Sequence, residues 1–199
     1  LIAIQAGGKS GRMGQDKGLV PFLGQPLVQR LLERVRVLTR EVVVITNHPD
    51  NYRFLDVPLF VDRLPGRGAL GGLYTALSAA QQLGAQAVGV IACDMPFVSP
   101  AILEASYHIL RQTGVDAVVP RSNQGFEPFH AVYCPSACLP WVESALQADQ
   151  WRVDSWFSRA RIHYIPTEET LKYDPLQLAF YNVNTMQELK QAESLAMER

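Results

Sequence analysis

Short apolar runs alternate with helix-spaced stripes along the whole chain, and this rhythm constrains the fold more than any other feature. Leu1–Gln5 predicts a first strand buried on both faces. Leu27, Val28, Leu31, Leu32 and Val35 follow it as a helical stripe. Glu41–Thr46 and Leu59–Val61 predict further strands, and Leu73, Ala76, Leu77, Ala80 and Leu83 mark the next helix. Ala87–Ala92 predicts a strand that ends at Cys93-Asp94, and Pro100–Thr113 a helix with proline suited to its first turn. Ala117–Pro120 and Ala131–Tyr133 predict short strands, Ala137–Ala148 a helix and Ile162–Ile165 a strand. Thr185 and Glu188 form a capping-box pattern opening the last helix, and Thr167–Leu178 is the least regular stretch. The alternation argues for an open α/β sheet, mostly parallel, with helices on both faces. No repeat, low-complexity tract or linker divides the 199 residues, which fit a single domain.

Composition narrows the partners. A net charge of -1 gives no global field for nucleic acid or an anionic membrane, so any positive site must be local. No apolar run is long enough for a membrane span. Cys93, Cys134 and Cys138 form no CxxC pattern and fit free thiols in a reducing cytoplasm. The chain opens inside a strand, without Met or a charged leader region, so the expectation is no export signal and a trimmed start.

In open α/β sheets ligands collect outside the carboxyl ends of the strands. The polar clusters Ala6–Lys17, Asn47, Asp62 and Asp94 each follow a predicted strand. The first carries Lys9, Arg12 and Lys17 among Gly7, Gly8, Gly11 and Gly14. Either its cations are merely solvated, or the loop cradles an anion with many oxygens, such as a nucleoside triphosphate. It is no Walker loop, since GxxxxGK[ST] occurs nowhere. In the second case Arg12 would bind phosphate oxygens bidentately and Lys17 would act as a point charge on the α- or β-phosphate. Asp94 reads as a turn or capping residue, or as a Mg²⁺ ligand alongside phosphate oxygens and waters. Asp62 supports the metal or nucleotide, or is a turn residue beside Arg63.

Gly66–Gly71 matches GxGxxG, yet Arg63, Leu64 and Pro65 separate it from the preceding strand, so a hinge or substrate loop fits better than a dinucleotide turn. Asn182 and Asn184 suit turn chemistry at a helix start, and His130 is a buried satisfied histidine or a substrate contact. Trp141, Trp151 and Trp156 read as packing, and His48, His108 and His163 are too scattered for a metal cluster.

Together AGGKSGRMGQDKGL, VITN, FVDRLPGRGALGGL, ACDMPFVSP, EPFHAVY and YNVNT resemble, over nearly the full length, the molybdenum cofactor guanylyltransferases. The first motif is shared with many nucleotidyltransferases; the ordered set is far more specific. The resemblance implies a single Rossmann-like, GT-A-like domain. Its nucleotide-binding part would span about residues 1–100 and its pterin-binding part about 101–199. It implies transfer of GMP from GTP to the terminal phosphate of molybdopterin (the molybdenum cofactor), with Mg²⁺ as cofactor and pyrophosphate released. By the same resemblance Gln5, Ala6 and Gly7 would contact the guanosine, and Gly8 with Arg12 would hold phosphates. Lys17 would bind the triphosphate, Asn47 and Asp62 the nucleotide, and Asp94 both GTP and Mg²⁺. Arg12, Lys17 and Asp94 would be the catalytic set, and Asn182 and Asn184 would lie near the pterin. The chain departs from the family pattern at Gln5, where Leu is usual, and at Ala69, where Pro is usual. A monomer is the expected state, and molybdoenzyme chaperones are candidate partners.

The nucleophile would be a phosphate monoester oxygen, already largely ionised at neutral pH, so no strong general base is needed. The rivals are cytidylyl transfer to molybdopterin, NTP transfer to a sugar phosphate, an NAD-dependent oxidoreductase, and a catalytically silent nucleotide-binding partner.

Overall fold

The computed structural model describes residues 1–6 and 16–198. In chain order the elements are β1 (Ile2–Gln5), β2 (Pro21–Phe22), β3 (Gln25–Pro26), α1 (Leu27–Val35), β4 (Val42–Ile45) and β5 (Leu59–Phe60). They continue with α2 (Gly68–Gln82), β6 (Val88–Ala92), α3 (Pro100–Thr113), β7 (Ala117–Ser122), β8 (Gly125–Phe126) and β9 (His130–Tyr133). The last are α4 (Pro135–Gln147), β10 (Ile162–Ile165), α5 (Thr167–Thr170) and α6 (Met186–Met197).

The main sheet runs β10-β7-β9-β6-β1-β4-β5, with β8 paired to β7. β1 is parallel to β4 and β6, β4 to β5, and β7 to β10. β9 alone on this path lies antiparallel, between β6 and β7. The sheet is therefore mostly parallel, as the alternation predicts. The exception is physical: β7 reaches β9 through the short 123–129 connection, and a parallel return needs a crossover of a dozen or more residues.

Strand alternation splits the core into two layers. Ile2, Ile4, Val42, Val44, Val118 and Val132 face one side with residues of α1, α3 and α6. Ala3, Val43, Ile45, Val88, Val90 and Val119 face the other, beneath α2 and α4. β1 is buried along its whole length because both faces are covered. Helix starts follow the sequence: the Ser99 hydroxyl accepts from the Ile102 N–H at 3.3 Å, with Pro100 in the first turn of α3. Among the described residues no helix is long and apolar enough to cross a membrane.

What this architecture does for function is set by register. Gln5 pairs with both Ile45 and Ala92, and Ile45 with Phe60. Four neighbouring parallel strands therefore end level, delivering Asp94, Ala6, Asn47 and Asp62 to one rim.

Candidate active site

The rim gains its depth from segments that return to it. After residue 16 the chain makes a 3-10 turn at Lys17–Leu19, from which the Lys17 side chain reaches the end of β6. Its ammonium donates to Asp94 Oδ2 at 3.1 Å and to Asn184 Oδ1 at 2.6 Å. Three residues singled out from sequence thus meet in one cluster. Only about a fifth to a quarter of the Lys17 and Asp94 side chains is exposed, at 24% and 20%, so this is no solvated surface pair.

Backbone bonds hold the cluster in place. The Val183 N–H donates to the Asp94 carbonyl at 2.8 Å, fastening the chain before α6 against the end of β6. Thr185 caps α6, accepting from the Glu188 N–H at 3.2 Å. Glu188 reaches back to the helix start: its Oε2 accepts from the Thr185 hydroxyl at 3.1 Å and, one residue earlier, from the Asn184 N–H at 2.7 Å. That N–H is the chief reason the Glu188 carboxyl lies below the usual range. The helix-start reading of YNVNT and the site reading are therefore both satisfied: the cap anchors the backbone that aims Asn184 at Lys17.

Other candidates are placed differently. Gln5 turns its side chain away from the rim and donates to the Gly72 carbonyl of α2 at 2.6 Å. A Cβ on Gly72 would sit 2.5 Å from Gln5 Oε1, so a larger residue there would push the Gln5 side chain aside. Asp62 Oδ1 accepts from the Leu64 N–H at 3.1 Å and the Thr75 hydroxyl at 2.9 Å, the turn role its sequence context allowed. Asn47 is exposed just beyond β4. The Asn182 side-chain amide donates to the Phe180 carbonyl at 3.1 Å rather than into the Lys17 cluster. Ala6 is buried, its N–H bonded to the Ile45 carbonyl at 2.8 Å. Gly7, Gly8 and Arg12 lie outside the described residues.

The GxGxxG run forms a tight lead into α2, with Gly66 and Gly68 at φ +89 and +60. Arg67 is ion-paired to Asp149 and sits over the Trp151 ring at 5.1 Å, which anchors the run. Sequence reading missed Asp16 and Tyr52. The Tyr52 hydroxyl donates to Asp16 Oδ1 at 2.6 Å, and the same oxygen accepts from the Gly18 N–H at 3.2 Å. The only local signal was an Asp directly before Lys17-Gly18, where a turn cap belongs.

Two buried groups beside the rim are chemically quiet. Burial, then the charges of Asp94 and Asp16, push the Cys93 thiol well above its usual range, so it stays protonated rather than nucleophilic. His130 is buried, and its Nε2 accepts from the Ser99 N–H at 2.9 Å. Burial lowers its pKa to about 4. The unfolded chain therefore binds a proton at His130, between pH 6.5 and about 4, that the folded chain refuses. Stability contributed by neutral His130 is lost as pH falls through that window, by up to about 3 kcal/mol. Denaturant unfolding across pH 4–7 checks this: His130→Gln should flatten the acid limb, and an unchanged slope would contradict it.

Among the described residues no group of three or more His, Cys, Asp or Glu could enclose a metal. What the cluster offers instead is one carboxylate, one ammonium and one amide at the ends of parallel strands. Such a set handles phosphoryl groups by charge and position. Fold and site together define an α/β domain of the nucleotidyltransferase class.

Comparison with known proteins agrees. The model of the MobA-like NTP transferase domain matches residues 2–162, and the chain belongs to that family. A probable molybdenum cofactor guanylyltransferase of Pelotomaculum thermopropionicum is 32% identical over 193 residues, spanning 97% of this chain and 91% of the relative. The molybdenum cofactor guanylyltransferase of Desulfosudis oleivorans is 29% identical over 192 residues, spanning 96% of this chain and 93% of its own. The crystal structure of molybdopterin-guanine dinucleotide biosynthesis protein A from Archaeoglobus fulgidus superposes with a TM-score of 0.85. It is 27% identical, and the match covers 100% of this chain and 99% of that one.

Proposed function

We propose that this chain transfers GMP from GTP to the terminal phosphate of molybdopterin and releases pyrophosphate, with Mg²⁺ as cofactor. The observation that carries the reading is the Lys17–Asp94–Asn184 cluster at the strand ends, in a chain similar over its length to guanylyltransferases. A pterin phosphate oxygen attacks the α-phosphorus of GTP, and the bond from that phosphorus to the β-phosphate oxygen breaks. The attacking monoester is already ionised, so the site need not remove a proton. Its task is to hold two anions together and to neutralise the leaving charge. Lys17 does this on the triphosphate, exchanging part of its bonding to Asp94 and Asn184 for phosphate oxygens. Arg12 would add a bidentate contact on the same phosphates.

The donor set fits Mg²⁺, which usually takes one or two protein carboxylates and fills its shell with phosphate oxygens and water. Asp94 would hold it. When bound, the ion supplies charge neutralisation on the triphosphate. Asn47 and Asp62 would border the nucleoside, and Asn182 and Asn184 the pterin. A division into a nucleotide part before about residue 100 and a pterin part after it gains support from Lys17 and Asn184. One residue from each part meets where transfer would occur. A monomer that hands its product to a molybdoenzyme chaperone, working in the cytoplasm, completes the proposal. Three cysteines that are all free thiols suit that compartment.

The test is pyrophosphate release with GTP, CTP, ATP or UTP, with and without molybdopterin and Mg²⁺. Release that needs GTP, Mg²⁺ and molybdopterin together supports the reading. Release with another nucleotide, or with a sugar phosphate as acceptor, overturns it. The Gln5 side chain faces α2, so Gln5→Leu should leave the GTP-over-CTP ratio unchanged while costing no more than about 1 kcal/mol of stability. Competition kinetics and urea unfolding measure both; a switch in nucleotide preference would assign Gln5 to base selection instead.

A further inference from the structure

We infer that buried Tyr52 and half-buried Asp16 form a positioning device that sets Lys17 in its working direction; this rests on the proposed nucleotidyl transfer. Tyr52 lies in the 3-10 turn Pro49–Leu55, directly after β4, and is fully buried at 0% exposure. A phenylalanine would fill the same apolar space. A hydroxyl buried that deeply is costly unless bonded, and this one donates to Asp16 Oδ1 at 2.6 Å. Burial first, then the bond to Asp16, push the phenol well above its usual range, so the hydroxyl keeps its proton and remains a donor. The same oxygen lies 3.4 Å from the Ala6 carbonyl at the end of β1.

Asp16 in turn shapes the Lys17 backbone. Its Oδ1 also accepts from the Gly18 N–H at 3.2 Å, capping the Lys17–Leu19 turn. Its carbonyl accepts from the Leu19 N–H at 3.0 Å. Gly18 is fixed by the same device: a Cβ there would lie 2.6 Å from the Tyr52 hydroxyl oxygen. Lys17 is thus bracketed by a residue whose side chain is held by Tyr52 and a glycine whose replacement would displace the Tyr52 hydroxyl. From that bracket its ammonium reaches Asp94 and Asn184. A carboxylate oxygen shared by a phenol and a backbone N–H has one direction available. Loosening it lets the turn, and with it the long lysine, wander. Tyr52 and Asp16 touch neither reacting group and act through Lys17, which makes them positioning residues.

The variants separate positioning from folding. Tyr52→Phe removes only the hydroxyl, Asp16→Ala removes the shared acceptor, and Asp16→Asn keeps an acceptor oxygen in place. Asp16→Ala and Tyr52→Phe should each lower kcat/KM for GTP about ten- to hundredfold, with KM for molybdopterin unchanged. Asp16→Asn should recover activity to within a few fold of the parent. In a Lys17→Ala background, Tyr52→Phe should cost nothing further, because the group it positions is gone. A full additional loss in that background, or a Tyr52→Phe enzyme as active as the parent, overturns the inference. If the parent itself transfers no nucleotide, the proposed reaction fails, and the crystal structure of Asp16→Ala decides this inference alone. Lys17 displaced from Asp94 and Asn184 supports it; Lys17 unmoved overturns it.

Discussion

Asp94→Asn should lower turnover with GTP and molybdopterin on the order of 10²-fold or more while the protein stays folded. The substitution is isosteric. The main-chain bond from Val183 to the Asp94 carbonyl survives it, and an amide oxygen still faces Lys17. What disappears is a negative charge at the end of β6. Without that charge the site loses the carboxylate that pairs with Lys17 and that would hold a cation against the triphosphate. The loss should therefore appear in steady-state kinetics with a circular dichroism spectrum like the parent's. Near-normal turnover in a folded variant would remove Asp94 from the chemistry.

Lys17→Ala has the second large effect, about 10²- to 10³-fold in kcat/KM for GTP. Some stability is lost with it, because the Asp94 charge left behind is only about a fifth exposed and solvent screens it in part. Lys17→Arg should recover little, since a planar guanidinium cannot take the place of a compact ammonium bonded to one oxygen on each of two residues. Combined with Asp94→Asn, the losses should fall far short of the product of the single effects if, as proposed, the two groups serve one charge-neutralising task. Independent, multiplying losses would mean that they act in separate places. Pyrophosphate release, measured for both singles and the double, distinguishes the cases.

Much of this molecule is legible in its sequence where the signal is local. Pro100–Thr113 and Ile162–Ile165 run between the very residues their periodicity marks, because proline and apolar spacing are written within the segment. β2, β3 and β8 are two residues long and each contains proline or glycine, so they go unseen, whereas the equally short β5 lies in the apolar run Leu59–Val61. The rim positions after β1, β4, β5 and β6 follow from the parallel-sheet rule. Which of them point into the site does not. Asp62 looks in sequence like Asp94, yet its Oδ1 accepts from the Thr75 hydroxyl at 2.9 Å while the Asp94 carboxylate meets Lys17. Lys17 and Asn184 stand 167 residues apart, and only tertiary folding brings them to 2.6 Å. Tyr52 hides for the reverse reason. In NYRF it reads as one more aromatic, and its role lies in a hydroxyl whose partner is 36 residues away.

The most direct measurement is the crystal structure of the protein soaked with GTP and Mg²⁺. The triphosphate should lie across the carboxyl ends of β1 and β6. The Lys17 ammonium should be within hydrogen-bonding distance of a phosphate oxygen, and the Asp94 carboxylate should be on the metal. A triphosphate bound elsewhere, with the Lys17–Asp94–Asn184 cluster untouched, would contradict it.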